Sequence, residues 1–242
     1  MQEFLGLLSK KADSAFIVDK MKEKTGCDTE ACIYEKSPFV KFIGEDEARK
    51  IRKEEFKVSG PANSNDWLSN VHIDETLTQL SIANPGFIHI PYQMRDFQKQ
   101  RTELAIFDFA KAYKSGMKTF GCVLNTDSSR GPGEHWYCLF GDFTSEPIRI
   151  EYFNSTGDYP QSEVHDWLTK LQYRLQDELK KKVEIITVMS RGVQQNSDDC
   201  GVYCLYYIWS RLGGVSPSVF SDPLTAPNDS LMKEARKFFF IA

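Results

Sequence analysis

Nothing in the 242 residues approaches the unbroken apolar stretch that a membrane-spanning helix requires. The N-terminus "MQEFLGLLSKKADSAF" has no basic start, long apolar core or small-residue cleavage site, so no secretory signal is expected there. Charge of one sign is also scarce. Thirty Lys and Arg stand against 34 Asp and Glu, a net charge of −4, so composition gives no argument for nucleic acid as a required partner. The usual serine-nucleophile motif G-x-S-x-G, a phosphate-binding glycine loop and H-E-x-x-H are all missing. Cysteine and histidine are few, six and four. With no secretion signal, six thiols in a reducing setting are expected. Cys27 and Cys32, in "CDTEAC", are read first as free thiols, then as a disulfide, and last as a metal site. No second Cys or His pair completes a zinc set around them.

What is present is ordinary for a soluble globular protein: 41% hydrophobic and 26% charged residues. Residues 1 to about 60 read as a charged helical arm. "GEDEARKIRKEEF" within it has the alternating charge of a solvated helix face. The Gly, Pro, Asn and Ser of "VSGPANSNDWLSN" mark a linker, so the boundary is placed there, with 1–60 as the arm and 61–242 as the main domain. In the main domain Asp74 is expected to cap a short helix over Glu75–Leu80. Strands follow in "GFIHIPYQM", "MKTFGCVLNTD", "HWYCLFGDF", "PIRIEYFNS" and "VEIITVMS". Val164, Leu168, Leu171, Leu175 and Leu179 recur at helical spacing between the last two. The pattern predicts an α+β domain.

The scarcity of histidine limits the chemistry. A thiol nucleophile needs a base, and histidine is the usual one. Cys200 opens the apolar helical run "VYCLYYIWSRL", whose positive end is expected to favour a thiolate. Gly201 would let the backbone approach a substrate carbonyl, and the Cys200 N–H would face an oxyanion. The bland alternative, a cysteine that merely starts a core helix, is about as common for such a residue taken alone. His135 follows the glycine-containing loop "SSRGPGE" and starts a strand, which suits a base reaching into a cleft. His72, His89 and His165 read as structural or surface residues. Asn154 ends the strand after that of His135, where a hairpin would bring it beside the imidazole to orient it. Its alternative is a turn asparagine. Gln194 and Gln195 are both placed to donate an amide N–H to an oxyanion, and each alone reads as a polar loop residue.

Together, "EHW", an Asn after a strand, and "QQ…DCG" opening a buried helix resemble the SUMO-specific (ubiquitin-like-protein) cysteine proteases and the adenovirus endopeptidase. "TFGCVLNTDSSRGPGEHW", "IEYFNSTG", "HIDETL", "GCDTEAC" and the final "IA" resemble more closely the polyprotein-processing cysteine proteases of the African swine fever virus type. The resemblance implies a papain-like cysteine protease core in His-Asn-Cys order, a mixed sheet flanked by helices, with an N-terminal helical arm. It implies Cys200 as nucleophile, His135 as base, Asn154 as orienting residue and Gln194 in the oxyanion hole, with Gln195 as the near alternative. Trp136 would cover the substrate's glycines, with Asn196 and Gly201 also lining the substrate site. The implied activity is cleavage after Gly-Gly in viral structural polyproteins during virion maturation, in the host cytoplasm at the viral factory and in the virion. No metal, organic cofactor, membrane or nucleic acid is implied. A deSUMOylating or deubiquitinating isopeptidase and an acyltransferase are the rival activities. Asn154 stands where the cellular enzymes have Asp, and the arm has no counterpart in their catalytic core; both favour the viral role.

Overall fold

In the computed structural model the described residues are 1–5, 14–28, 30–35, 37–55, 57–189, 192–196 and 198–241. The helical reading of "FLGLLSKKAD" over residues 6–13 lies outside them. So do Phe56, Ser190, Ser197 and Ala242 within the segments read above. The chain divides into two compact units, Met1–Lys57 and Val58–Ala242.

The first unit contains the helices α1 (Gln2–Leu5), α2 (Ser14–Thr25), α3 (Glu30–Ile33), α4 (Pro38–Ile43) and α5 (Glu45–Glu55). They gather around buried Met21, Cys27, Ile33 and Phe39. Ser37 caps α4, its hydroxyl accepting the Phe39 N–H at 3.1 Å, and Pro38 follows where its missing N–H is harmless. Among the described side chains of α5 only Ala48 is buried, and Glu45, Asp46, Glu47, Arg49 and Lys50 face solvent. Cys27 and Cys32 are joined in a disulfide, which overturns the free-thiol reading. Gly26, at φ 73°, turns the chain after α2 and leaves the two Cα atoms 5.6 Å apart, within bridging range. Cys122, Cys138, Cys200 and Cys204 are free and buried.

The second unit is built on a mixed sheet. Its strands are β2 (Phe87–His89), β3 (Gln93–Met94), β4 (Thr119–Asn125), β5 (Trp136–Asp142), β6 (Ile148–Asn154) and β7 (Val183–Met189), in the order β2-β4-β5-β6-β7 with β3 also on β4. Pairings β4/β5 and β5/β6 are antiparallel, and β2/β4 and β6/β7 are parallel. The short strands β1 (Val58–Ser59) and β8 (Phe240–Ile241) pair separately. The central strands are apolar on both faces, as a sheet covered on both sides requires. Phe120, Cys122, Leu124, Tyr137, Leu139, Ile148, Ile150 and Tyr152 point into one core layer. There they meet the small helices α7 (Phe97–Gln100), α8 (Glu103–Ile106) and α9 (Phe109–Lys114) and the long α10 (Ser162–Leu179), which buries Val164, Leu168, Leu171 and Leu175 at the spacing read from the sequence. Val123, Trp136, Cys138, Phe140 and Phe153 point into the other layer. It is closed by α6 (Asn70–Ala83), α11 (Cys200–Leu212), α12 (Ser218–Ser221) and α13 (Asp229–Phe239).

Two ion pairs are sealed into this second layer. Glu151, fully buried on β6, takes a bidentate fork from Arg211 at 2.8 and 2.9 Å and the Tyr207 hydroxyl at 2.7 Å. Arg236 of α13 pairs with Asp199 at 2.6 Å, both 2% exposed. The start of α6 differs from expectation. Ser69 caps it in a reciprocal box with His72, so the helix begins at Asn70 and Asp74 lies inside it. Asp74 turns sideways and accepts the Tyr92 N–H at 2.8 Å and His89 Nε2 at 3.1 Å. His89 is thereby a satisfied structural histidine.

Candidate active site

The sheet register gathers the chemistry at one end. Because β5 and β6 run antiparallel, the start of β5 lies beside the end of β6. Because β6 and β7 run parallel, Asn154 stands opposite Met189, and the loop leaving β7 starts at the same end. That loop leads to α11, whose first residue is Cys200; the backbone N–H of Trp136 lies near enough to its sulfur to favour the thiolate. His135 precedes Trp136 directly. The glycine loop that delivers it is fastened rather than slack. Asn125 Oδ1 accepts the N–H groups of Asp127 and Glu134 at 2.9 and 3.0 Å, and Asp127 accepts those of Ser128 and Gly133 at 2.7 and 3.1 Å. Thr126 N–H donates to the His135 carbonyl at 2.9 Å.

His135 Nε2 lies 2.7 Å from Asn154 Oδ1. Asn154 is buried, and its amide has one orientation. Oδ1 also accepts the Thr156 N–H and hydroxyl at 3.1 and 3.0 Å, while Nδ2 donates to the Tyr152 hydroxyl at 3.3 Å. An oxygen can only accept, so Nε2 carries the ring proton and Nδ1 is the basic atom of the neutral imidazole. Asn154 therefore selects the tautomer a base needs.

Burial sets the resting charge state. It pushes the Cys200 thiol up to about 11, outweighing the N–H groups of Trp136, Gly201 and Cys200 that favour the thiolate. It also pushes His135 below the ordinary histidine range, against its bond to Asn154 and the charge of Asp158. The expected thiolate at the helix mouth is thus corrected. With Cys200 4% exposed, desolvation outweighs the donors around its sulfur and favours the neutral thiol, and burial likewise favours the neutral imidazole of His135.

The two glutamines are distinguishable. Gln194 is half-buried; its Oε1 accepts the Ser155 hydroxyl at 2.7 Å and its Nε2 donates to the Asn196 carbonyl at 2.8 Å, fixing the amide beside the residue after Asn154. Gln195 is exposed and folds back on the Gly192 carbonyl. Asn196 shapes the loop: its Oδ1 accepts the N–H groups of Asp198 and Asp199 at 2.9 and 3.2 Å, and its Nδ2 donates to Asp199 at 2.8 Å. Gly201 is buried too. A Cβ there would stand 3.1 Å from Leu68 Cβ and Cδ1, so the glycine allows close packing against Leu68.

A cleft of about 470 Å³ opens next to Trp136, lined also by Trp67, Leu68, Tyr92, Gly131 and Gly133. The Trp136 indole donates to the Leu68 carbonyl at 3.1 Å, and the Trp67 indole, 54% exposed, to Asp198 at 3.3 Å. Trp67, Leu68 and Arg236 are the residues that sequence reasoning missed. A lone Trp in a polar linker, and an Arg on the apolar stripe Met232–Ala235–Phe239, were the available signals. His72 sits in the α6 cap, and His165 is exposed on α10.

No family model matches the chain. A cysteine protease of African swine fever virus (isolate Tick/Malawi/Lil 20-1/1983) is 35% identical over 230 residues, covering 88% of this chain and 84% of that protein. The chain belongs to the family of that viral cysteine protease. The crystal structure of the African swine fever virus protease superposes with a TM-score of 0.79 at 31% identity, covering 96% of this chain and 93% of that one. The SUMO protease Ulp1 superposes with a TM-score of 0.52 at 16% identity over 74% and 77% of the two chains, a likeness of fold. The α+β, papain-like expectation therefore holds, and the protein is a cysteine protease with a SUMO-protease-like core.

Proposed function

We propose that this cysteine protease is an endopeptidase that cleaves after Gly-Gly in viral structural polyproteins during virion maturation, acting at the viral factory in the host cytoplasm and in the virion. The observation that carries the reading is the 2.7 Å bond to Asn154 from His135, directly before Trp136, whose backbone N–H lies close enough to the Cys200 sulfur to favour its thiolate. The catalytic assignment is Cys200, His135, Asn154 and Gln194. His135 Nδ1 removes the thiol proton as the sulfur attacks the glycine carbonyl carbon, since burial disfavours a standing thiolate. The tetrahedral oxyanion is held by the Cys200 N–H and the Gln194 amide. His135 then protonates the leaving amine, and the thioester is hydrolysed by water that His135 activates. Asn154 keeps the ring in one tautomer and orientation throughout. The indoles of Trp67 and Trp136 at the cleft favour a substrate strand without side chains at the two positions before the bond.

The test compares wild type and Cys200→Ser on Gly-Gly-Xaa peptides drawn from the virus's own polyproteins. Wild type should cleave after the second glycine and the variant should not; equal rates would refute the nucleophile assignment. A second reading is release of a ubiquitin-like protein. It is favoured by relatives at 34% identity named SUMO-1 cysteine protease. Faster release from a SUMO conjugate than from the viral peptide would select it.

A further inference from the structure

Asp199 occupies the N-cap position of α11 yet does not cap it. An aspartate there ordinarily accepts an N–H of the first helical turn, but its carboxylate makes no such bond. Arg236, 37 residues downstream on α13, holds it from the other side: Nε meets Asp199 Oδ1 at 2.6 Å, with Arg236 itself 1% exposed. The same guanidinium donates from Nη2 to the Asp198 carbonyl at 2.8 Å and from Nη1 to the Asp66 carbonyl at 2.8 Å. One buried cation thus ties the loop preceding Cys200 to the segment carrying Trp67, whose indole also reaches Asp198. Asn196 supplies the second anchor on Asp199.

The consequence follows from charge and geometry. The first-turn N–H groups of α11 are the donors a developing oxyanion would use, and they flank the Cys200 sulfur. An aspartate one residue upstream is the side chain best placed to occupy them. We propose that Arg236 is a positioning residue of this protease: it draws the Asp199 carboxylate away from the α11 N-terminus, so that those N–H groups stay open to the oxyanion, and it fixes the loop before Cys200 against the segment carrying Trp67. The inference rests on the reading of Cys200 as nucleophile. Nothing in the spacing of "DDCG" announces it, because the partner arrives from the C-terminal helix.

The test uses full-length Arg236→Met, Arg236→Lys and the double variant Arg236→Met/Asp199→Ala, alanine having no side-chain acceptor to cap the helix. Peptide turnover is measured together with the pH dependence of Cys200 alkylation by iodoacetamide, read by mass spectrometry of the Cys200 peptide. The titratable groups on the elements around that sulfur are Asp199 before it and Cys204 one turn deeper, with His135 directly before Trp136 on the neighbouring strand; Asp198 lies on the Trp67 side. In Arg236→Met the released carboxylate should turn onto the helix end. Turnover should fall roughly tenfold or more at little changed KM, as loss of oxyanion donors does, and the alkylation curve should move to higher pH. The double variant, with no carboxylate to move, should titrate as wild type and recover turnover. Arg236→Lys, which keeps the cation, should titrate as wild type. A purely structural role would lower the folded fraction without moving the curve. An unmoved curve in Arg236→Met, or a double variant no better than the single, overturns the proposal. Should the methionine variant not fold, a shifted curve in Arg236→Lys or in the double variant overturns it. Alkylation requires no turnover, so a failed nucleophile assignment, seen as an active Cys200→Ser, is recognised separately.

Discussion

Replacing Asn154 by Asp changes one charge at nearly constant shape, and it asks how the thiol is activated. The carboxylate can keep the acceptor bonds from His135 Nε2 and from the Thr156 N–H and hydroxyl, and the Tyr152 hydroxyl can turn round to donate. What changes is a negative charge 2.7 Å from the ring nitrogen. With charge centres about 4 Å apart and an effective dielectric near 20, the attraction for an imidazolium is about 4 kcal/mol. Halving that for the solvent reaching a half-buried ring leaves roughly 2 kcal/mol, or about 1.5 pH units. The direction follows from the resting state. Burial holds His135 below the ordinary histidine range and the thiol near 11, so at neutral pH the base is already deprotonated. Activity is then lost on acidification as the imidazole takes up its proton. The added carboxylate raises that pKa, so the acid limb of kcat/KM should move to higher pH by about 1.5 units. The assay is a pH profile of peptide cleavage for both proteins. If the active form were instead a standing thiolate–imidazolium pair, the imidazole would be protonated on both sides of the acid limb, so the carboxylate would leave that limb nearly in place and raise the basic limb instead. A downward shift, or none, refutes general-base activation of a neutral thiol.

The same electrostatics predict that wild-type Cys200 alkylates faster with every rise in pH toward about 11, and a plateau between pH 5 and 8 would contradict it. Glu151→Gln should lower stability by about 3–5 kcal/mol, because Arg211 would keep a buried charge without its partner; a denaturant midpoint shift worth less than ~1 kcal/mol would count against this. Gly201→Ala should push Leu68, whose carbonyl holds the Trp136 indole, and reduce kcat/KM roughly tenfold or more through a displaced cleft wall; wild-type kinetics would show that Leu68 yields without cost.

Much of the second unit was legible because its signals are local. In β4, β5 and β6 most core-facing positions are apolar, with Glu151 the buried charge among them, and the turn after Asn154 is written in Ser, Thr and Gly. The heptad-like leucines of α10 and the apolar run after Cys200 each lie within one element. From these the meeting of His135 with Asn154 follows, since consecutive strands joined by a short turn pair antiparallel. The preference between Gln194 and Gln195 was open in sequence because both precede Cys200 in one polar loop. It depends on Ser155, which reaches Gln194 only once β6 and β7 lie side by side.

What escaped the sequence is a set of polar residues whose partners are remote. Asp74 has the composition of a cap, but Ser69 and His72 form a reciprocal box that takes the helix start from it, leaving its carboxylate for Tyr92 and His89. Asp199 stands at a helix start and again looks like a cap. Here the competitor is a guanidinium, and a charge-assisted bond at 2.6 Å inside a dry layer outweighs a neutral N–H at the helix mouth. The expected low thiol pKa failed for a related reason. The helix-end effect is at most about 2 kcal/mol in favourable geometry, whereas removing nearly all solvent from the sulfur acts in the opposite sense and is larger. In the proposed mechanism the thiol at the mouth of this buried helix is therefore activated by the base and by the arriving substrate, and the helix N-terminus stays open for the oxyanion rather than for a resting thiolate.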